Sequence, residues 1–243
     1  METTAYIGLS RQVALERRME VIANNVANAA TTAYRAEAML FEPVPEDAGR
    51  DLRLFFVQDV ALVRDLGEGP MAPTGNPLDL AIRGRGYFVV ATPGGERYGR
   101  GGQFQLNDAF ELVTAAGYPV LGEGGAPLAL PETAGDVAVA ADGTVSADGV
   151  VAGRLQVVTF ADEQALEKSG DGLYRSPPDT PPPEPATGAR VVQGMLEGSN
   201  VRPVVEITTM MATLRAFQGV QRLLETQHEL QRQAIQRMLE LNA

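Results

Sequence analysis

The chain has 243 residues, 44% of them hydrophobic and 21% charged, with one histidine and no cysteine. That is room for one large or two modest domains with a sizeable core, and it excludes disulfides, thiolate metal sites and cysteine nucleophiles. No apolar run approaches the roughly 18–20 residues of a membrane span, and a net charge of −11 argues against a phosphate-backbone partner.

The charge is unevenly placed. Residues 1–43 hold four Arg against five Glu, and residues 201–243 hold five Arg against four Glu. The whole excess therefore lies in residues 44–200, with 11 basic and 22 acidic groups. Near-neutral ends can pack against many copies without building up repulsion, and an acidic middle keeps exposed surface soluble.

In chain order, Thr4 to Ala29 reads as a helix. Leu15, Met19, Ile22 and Val26 are spaced 4-3-4 and share one face. Met1 to Asn28 carries Glu2, Arg11, Glu16, Arg17, Arg18 and Glu20, so it has no uncharged h-region of about 7–15 residues and does not read as a secretory signal. Asn24, Asn25 and Asn28 weaken helix propensity and place the helix end nearby. Two readings of this cluster stay open, a fraying end or a capping turn.

The middle reads as β. Asp79–Ile82 and Tyr87–Val90 flank Gly84 and Gly86, which predicts a turn between strands. Phe104 to Val113 alternates around Asn107-Asp108, and Tyr118 to Leu121 ends at Gly122. Val137–Val139 leads into Asp142-Gly143, a hairpin-type turn. Leu155 to Phe160 reads as a buried strand. Short strands at close spacing favour a twisted sheet or a small barrel-like domain. Pro177-Pro178 and Pro181-Pro182-Pro183 make residues 176–188 an extended, semi-rigid loop.

Residues 204–241 predict a long second helix, about 55 Å at 1.5 Å per residue, with Pro203 at its first turn. Ile207, Met210, Leu214, Phe217, Gln221, Leu224, His228, Gln231, Ile235 and Met238 alternate by three and four as a heptad seam. The polar Gln221, His228 and Gln231 mark either a seam that turns toward solvent or a register device. Val205, Met211, Val220, Leu223, Leu230 and Leu239 fall off the seam and need more cover than a short first helix provides. The ends are therefore expected to be loosely ordered in a free monomer and to lock when neighbours bury them.

Signatures of catalysis are sparse. His228 lies within the helix seam, without a pinned Ser, Asp or Glu constellation. No His or Cys cluster has metal spacing, and no acidic run has the spacing of a calcium loop. Gly84-Arg85-Gly86 and Gly99-Arg100-Gly101-Gly102 sit among strand residues and open no helix, so hairpin turns are expected there rather than phosphate cradles.

Five ordered motifs carry a family resemblance that runs nearly end to end. They are Ala23 to Asn28 with Thr31 to Arg35; Thr74 to Ile82 with Gly84, Gly86 and Tyr87-Phe88; Tyr98 to Phe104; Gly117 to Gly122; and Gln193-Gly194, Leu196-Glu197 and Ser199 to Val201. The chain resembles the bacterial flagellar basal-body rod proteins of the rod/hook family, most closely the proximal-rod branch. Ala33 stands where that family usually has Gly, so a positive φ is not expected there. Arg35 stands where Lys is common.

The resemblance implies an α+β fold. Paired N- and C-terminal helices form a coiled-coil-like domain (residues 1–35 and 200–243). Residues 36–74 form a connecting segment, and residues 75–199 a central, mostly antiparallel β domain. It implies a non-enzymatic structural subunit without cofactor or metal, polymerising helically into the periplasmic drive shaft of the basal body. Such subunits leave through the flagellar type III export apparatus without a cleaved signal peptide. The implied partners are further copies and other rod subunits, with neither nucleic acid nor membrane insertion. The expected assembly interface comprises Leu15, Met19, Ile22, Asn24, Asn25, Val26 and Asn28 on the first helix, and Ile207, Met210, Leu214, Phe217, Leu224, Ile235 and Met238 on the last. Alternatives are a distal-rod or hook-type subunit, or an oligomeric β-domain module binding glycan or peptide. Against a glycan platform stand an aromatic content of 6% and the absence of Trp.

Overall fold

The structure, a computed structural model, describes residues 2–47, 53–132 and 135–241. The fold is α+β with antiparallel sheets and a helix toward each end of the chain. It divides into two compact units, one of residues 1–27, 36–65 and 201–243, the other of residues 28–35 and 66–200.

The first unit contains α1 (Glu2–Ala27), β1 (Glu37–Asp47), β2 (Arg53–Arg64) and α2 (Pro203–Leu241). α1 continues through Asn24 and Asn25. Gly8, Ala14 and Ile22 are buried on it. A Cβ added to Gly8 would lie 2.7 Å from Leu224 Cδ2 on α2, so glycine lets the two helices approach closely. Residues 36–65, read from sequence as part of a connection, carry the β1–β2 antiparallel pair. Its register runs from Glu37↔Arg64 to Asp47↔Arg53, with a shift between Leu40 and Phe41.

The buried face of α2 is rotated from the expected seam. Thr213 and Val220 are buried, while the seam residues Ile207 and Leu214 are 43% and 45% exposed. The face runs through Met210, Thr213, Phe217, Val220 and Leu224. A threonine fits inside it because its hydroxyl donates to Thr209 O at 2.8 Å, within the helix. Gln221 and His228 face solvent.

The second unit holds fifteen strands among the described residues. They are β3 (Met71–Pro73), β4 (Leu80–Arg83), β5 (Tyr87–Thr92), β6 (Gly95–Gly99), β7 (Phe104–Leu106), β8 (Leu112–Thr114), β9 (Val137–Val139) and β10 (Thr144–Ala147). β11 (Val150–Arg154), β12 (Val157–Thr159), β13 (Glu167–Gly170), β14 (Leu173–Arg175), β15 (Glu184–Pro185), β16 (Arg190–Gln193) and β17 (Met195–Glu197) follow. Instead of one sheet, they form a six-stranded sheet in the order β13-β14-β6-β5-β12-β15, a three-stranded sheet β11-β10-β9, and the pairs β16-β4, β17-β3 and β7-β8.

β5 explains the core. Tyr87, Phe88, Val89 and Val90 are all buried, and successive side chains serve two different clusters. Phe88 and Val90 pack with Leu80, Ile82, Phe104, Leu112 and Val120. Tyr87 and Val89 pack with Tyr98, Phe160, Leu166 and Tyr174. An apolar run without alternation is what a strand buried on both faces requires.

The expected Asp142-Gly143 turn joins β9 and β10, with Gly143 at φ 89°. Asp142 accepts bonds from Thr144 N and Oγ1, both at 3.0 Å. At the other end of this sheet Asp148, at φ 49°, accepts from Gly135 N at 2.9 Å and Asp136 N at 3.0 Å. Backbone donors favour the charged form, so both carboxyls sit below the ordinary carboxylate range. A depressed folded pKa gives stability that is present above the unfolded value and lost as pH falls through the folded one. The Tm advantage of the native chain over Asp148→Ala is therefore expected to be full at neutral pH and to shrink as pH drops through the acid range, measured by thermal unfolding from pH 7 to pH 2.

Candidate functional site

Three of the motif segments meet at one carboxylate. Glu197 closes β17 with a side chain that has no solvent exposure. Its Oε1 takes Arg35 Nη2 at 2.8 Å and Gly69 N at 3.0 Å, and its Oε2 takes Arg100 Nε at 2.7 Å. Its backbone oxygen accepts Ala33 N at 2.8 Å. One residue thus fixes the segment after α1, the segment before β3 and the residue after β6.

Arg100 extends the network. Nη2 donates to Ile82 O at 2.7 Å, and Nη1 donates to Gly84 O at 2.9 Å and Gly86 O at 2.8 Å. The guanidinium fork closes the chain reversal between β4 and β5 from within. This corrects the expectation of hairpin turns. β4 pairs with β16, β5 pairs with β6 and β12, and the arginine between Gly99 and Gly101 is buried instead of standing at a turn tip. Gly102 is needed for the same approach, because a Cβ there would lie 1.6 Å from Leu80 O.

Ala33 adopts φ 56°, contrary to expectation. The bond to Glu197 holds the backbone in the left-handed region although alanine disfavours it. Arg35 bonds Glu197 through a single nitrogen, and its Nη1 is buried without a hydrogen-bond partner. A lysine ammonium would supply that one charge without the orphaned nitrogen.

In the other unit the Asn cluster proves to be a built feature at one position. Asn25 is 1% exposed. Its Nδ2 donates to Glu37 O at 2.8 Å and its Oδ1 accepts Glu37 N at 2.9 Å. The side-chain amide acts as one peptide of a β ladder and fixes the start of β1 against α1. Asn28 accepts from Thr31 Oγ1 at 3.1 Å and Thr31 N at 3.1 Å in the following turn. Asn24 is exposed, while Leu15, Met19, Val26, Met210, Phe217 and Leu224 are half-buried. The side chains of Ile235 and Met238 lie outside the described residues.

The motifs contain Glu197 and Arg35 without giving them a role, and set Arg100 in an expected turn. The available signal was charge of opposite sign set singly among Gly and apolar residues. Among the described residues no group of three or more acidic or His side chains could hold a metal. A groove of about 450 Å³ beside Thr31 and Thr32 is lined by Gln103, Thr114 and Asp171, with one carboxylate and no second acid or base. The arrangement joins segments of the chain.

Breaking a buried ion network by removing one partner leaves an uncompensated charge and costs about 3–5 kcal/mol. Glu197→Ala, Arg100→Met and Arg35→Ala are each expected to lose about that much in urea unfolding, while Arg35→Lys stays within about 1 kcal/mol of the native chain. Ala33→Gly should stabilise by about 1 kcal/mol, since the left-handed backbone then carries no Cβ penalty.

Three family models match in chain order. They are described as flagella basal body rod protein over residues 6–35, flagellar hook protein FlgE/F/G D1 domain over residues 81–147, and flagellar basal body rod FlgEFG protein C-terminal over residues 192–237. The flagellar basal-body rod protein FlgF of Caulobacter vibrioides is 40% identical over all of both chains. FlgF of Rhizobium meliloti is 37% identical over 92% of each, and FlgG of Bacillus subtilis 31% over 95% of this chain and 97% of its own. With residues of several motifs meeting in one buried network and relatives matching over nine-tenths or more of their length, the chain belongs to the flagellar basal-body rod proteins, on the FlgF side of the family.

Proposed function

We propose that the chain is a structural subunit of the proximal section of the bacterial flagellar basal-body rod, polymerising helically through its terminal helices into the drive shaft. Residues 1–35 and 200–243 form the assembly domain, pairing in a coiled-coil-like manner. Residues 36–74 connect them to the outward-facing β domain of residues 75–199. The β1–β2 pair shares the helices' compact unit and so belongs functionally to that side. The partners are other copies and other rod subunits, reached after type III export into the periplasm. The role requires no catalysis.

The observation that carries this reading is apolar surface left open on both helices. Tyr6, Leu9 and Val13 on α1 are exposed, and so are Val204, Val205, Ile207, Met211, Leu214, Leu223 and Leu230 on α2. Several large apolar side chains left exposed along both helices mark an interaction surface. The near-neutral charge of both ends lets like subunits meet there, and the acidic middle suits an outer face.

Ile207→Asp with Leu214→Asp tests the proposal, because both side chains are exposed and their loss leaves the core intact. The double variant should fold normally by circular dichroism, yet fail to enter the rod and abolish motility. Normal swimming would refute the assembly role.

A further inference from the structure

The exposed apolar residues of α2 are not one patch. At 3.6 residues per turn each residue advances the wheel by about 100°. Val204, Ile207, Met211 and Leu214 then share one face, with exposures from 43% at Ile207 to 79% at Val204. Val205, Leu223 and Leu230, each more than half exposed, share another roughly 130° away. The buried face through Thr213 and Val220 lies between them on the far side. Helix α2 is therefore apolar in three directions, and α1 covers one.

The two open faces differ in extent. The first spans about 15 Å of helix and the second about 38 Å. Between its three large residues the second face carries Ala212, Ala216 and Gly219, with no charge along it. Apart from the helix's own backbone, nothing among the described residues lies within 4 Å of a Cβ built on Gly219, so the described fold gives no reason for a glycine that costs about 1 kcal/mol of helix propensity. A single partner helix cannot cover faces this far apart.

We infer that the two faces are the complementary halves of one contact, the 204–214 face of one copy packing on the 205–230 face of the next. A second copy is the occupant because residues 201–243 carry only +1, leaving little like-charge repulsion, and because each chain brings both halves. One head-to-tail contact uses both faces at once, whereas a two-fold contact through either would leave the other open. Such a contact propagates without closing. The inference rests on the assembly role proposed above and assigns the surfaces to it.

The chain has no cysteine, so crosslinking is clean. In motile cells carrying the variant as their sole copy, Leu214→Cys with Leu223→Cys should give, with a short bis-maleimide, a ladder extending beyond dimers. Each single variant should give no self-crosslink. Dimers from either single variant, or no ladder from the double, would overturn the inference. Crosslinks joining the double variant only to a different rod protein would also overturn it. If Ile207→Asp with Leu214→Asp blocks incorporation while the ladder is missing, only this assignment falls. If that variant incorporates normally, the assembly role itself falls.

Discussion

Glu197 keeps a charge out of water on the strength of two arginines and one backbone amide. Its two buried partners come from Arg35, just after the first helix, and Arg100, in the middle of the chain. Burying ions is costly unless each is paired and its remaining donors find acceptors. Here Arg100 meets that condition by taking three backbone carbonyls, at Ile82, Gly84 and Gly86. The strain at Ala33 and the bare backbone approaches at Gly69 and Gly102 follow from the closeness this network demands. Segments separated by more than 160 residues are thereby held in one compact unit.

The other unit is organised by a different device. The Asn25 amide copies a peptide group and ties β1 to α1 without any ion. α1 and α2 meet along a face of α2 that includes a satisfied threonine, and apolar surface stays open on the remaining faces. A fold content with that much exposed hydrocarbon on its helices, and with its excess acid confined elsewhere, is suited to burial among neighbours.

Much of this was legible in the sequence. The two helices, the β middle, the Asp142-Gly143 turn and the strand at Tyr87 to Val90 follow from periodicity and turn chemistry. The family is legible in motifs whose order no composition argument could supply. The partition into several sheets was not, because strand partners such as β4 with β16 and β3 with β17 lie over 100 residues apart and leave no local trace. Arg100 was read as a turn residue because glycine on either side suggests a tip. What decided its place was Glu197, an acceptor almost 100 positions later. The seam on α2 was displaced too. Heptad spacing places Ile207 and Leu214 on the seam and Val220 off it, whereas the folded helix buries Val220 and leaves the other two exposed.

The central claim is a division of labour, with the Glu197 network holding one self-contained unit and α2 supplying assembly. A chain truncated after Pro203 separates the two most directly. The account predicts a soluble protein whose residues 66–200 unfold in one cooperative transition and which never enters the rod. A truncated chain that loses that transition, or one that still assembles, would contradict it.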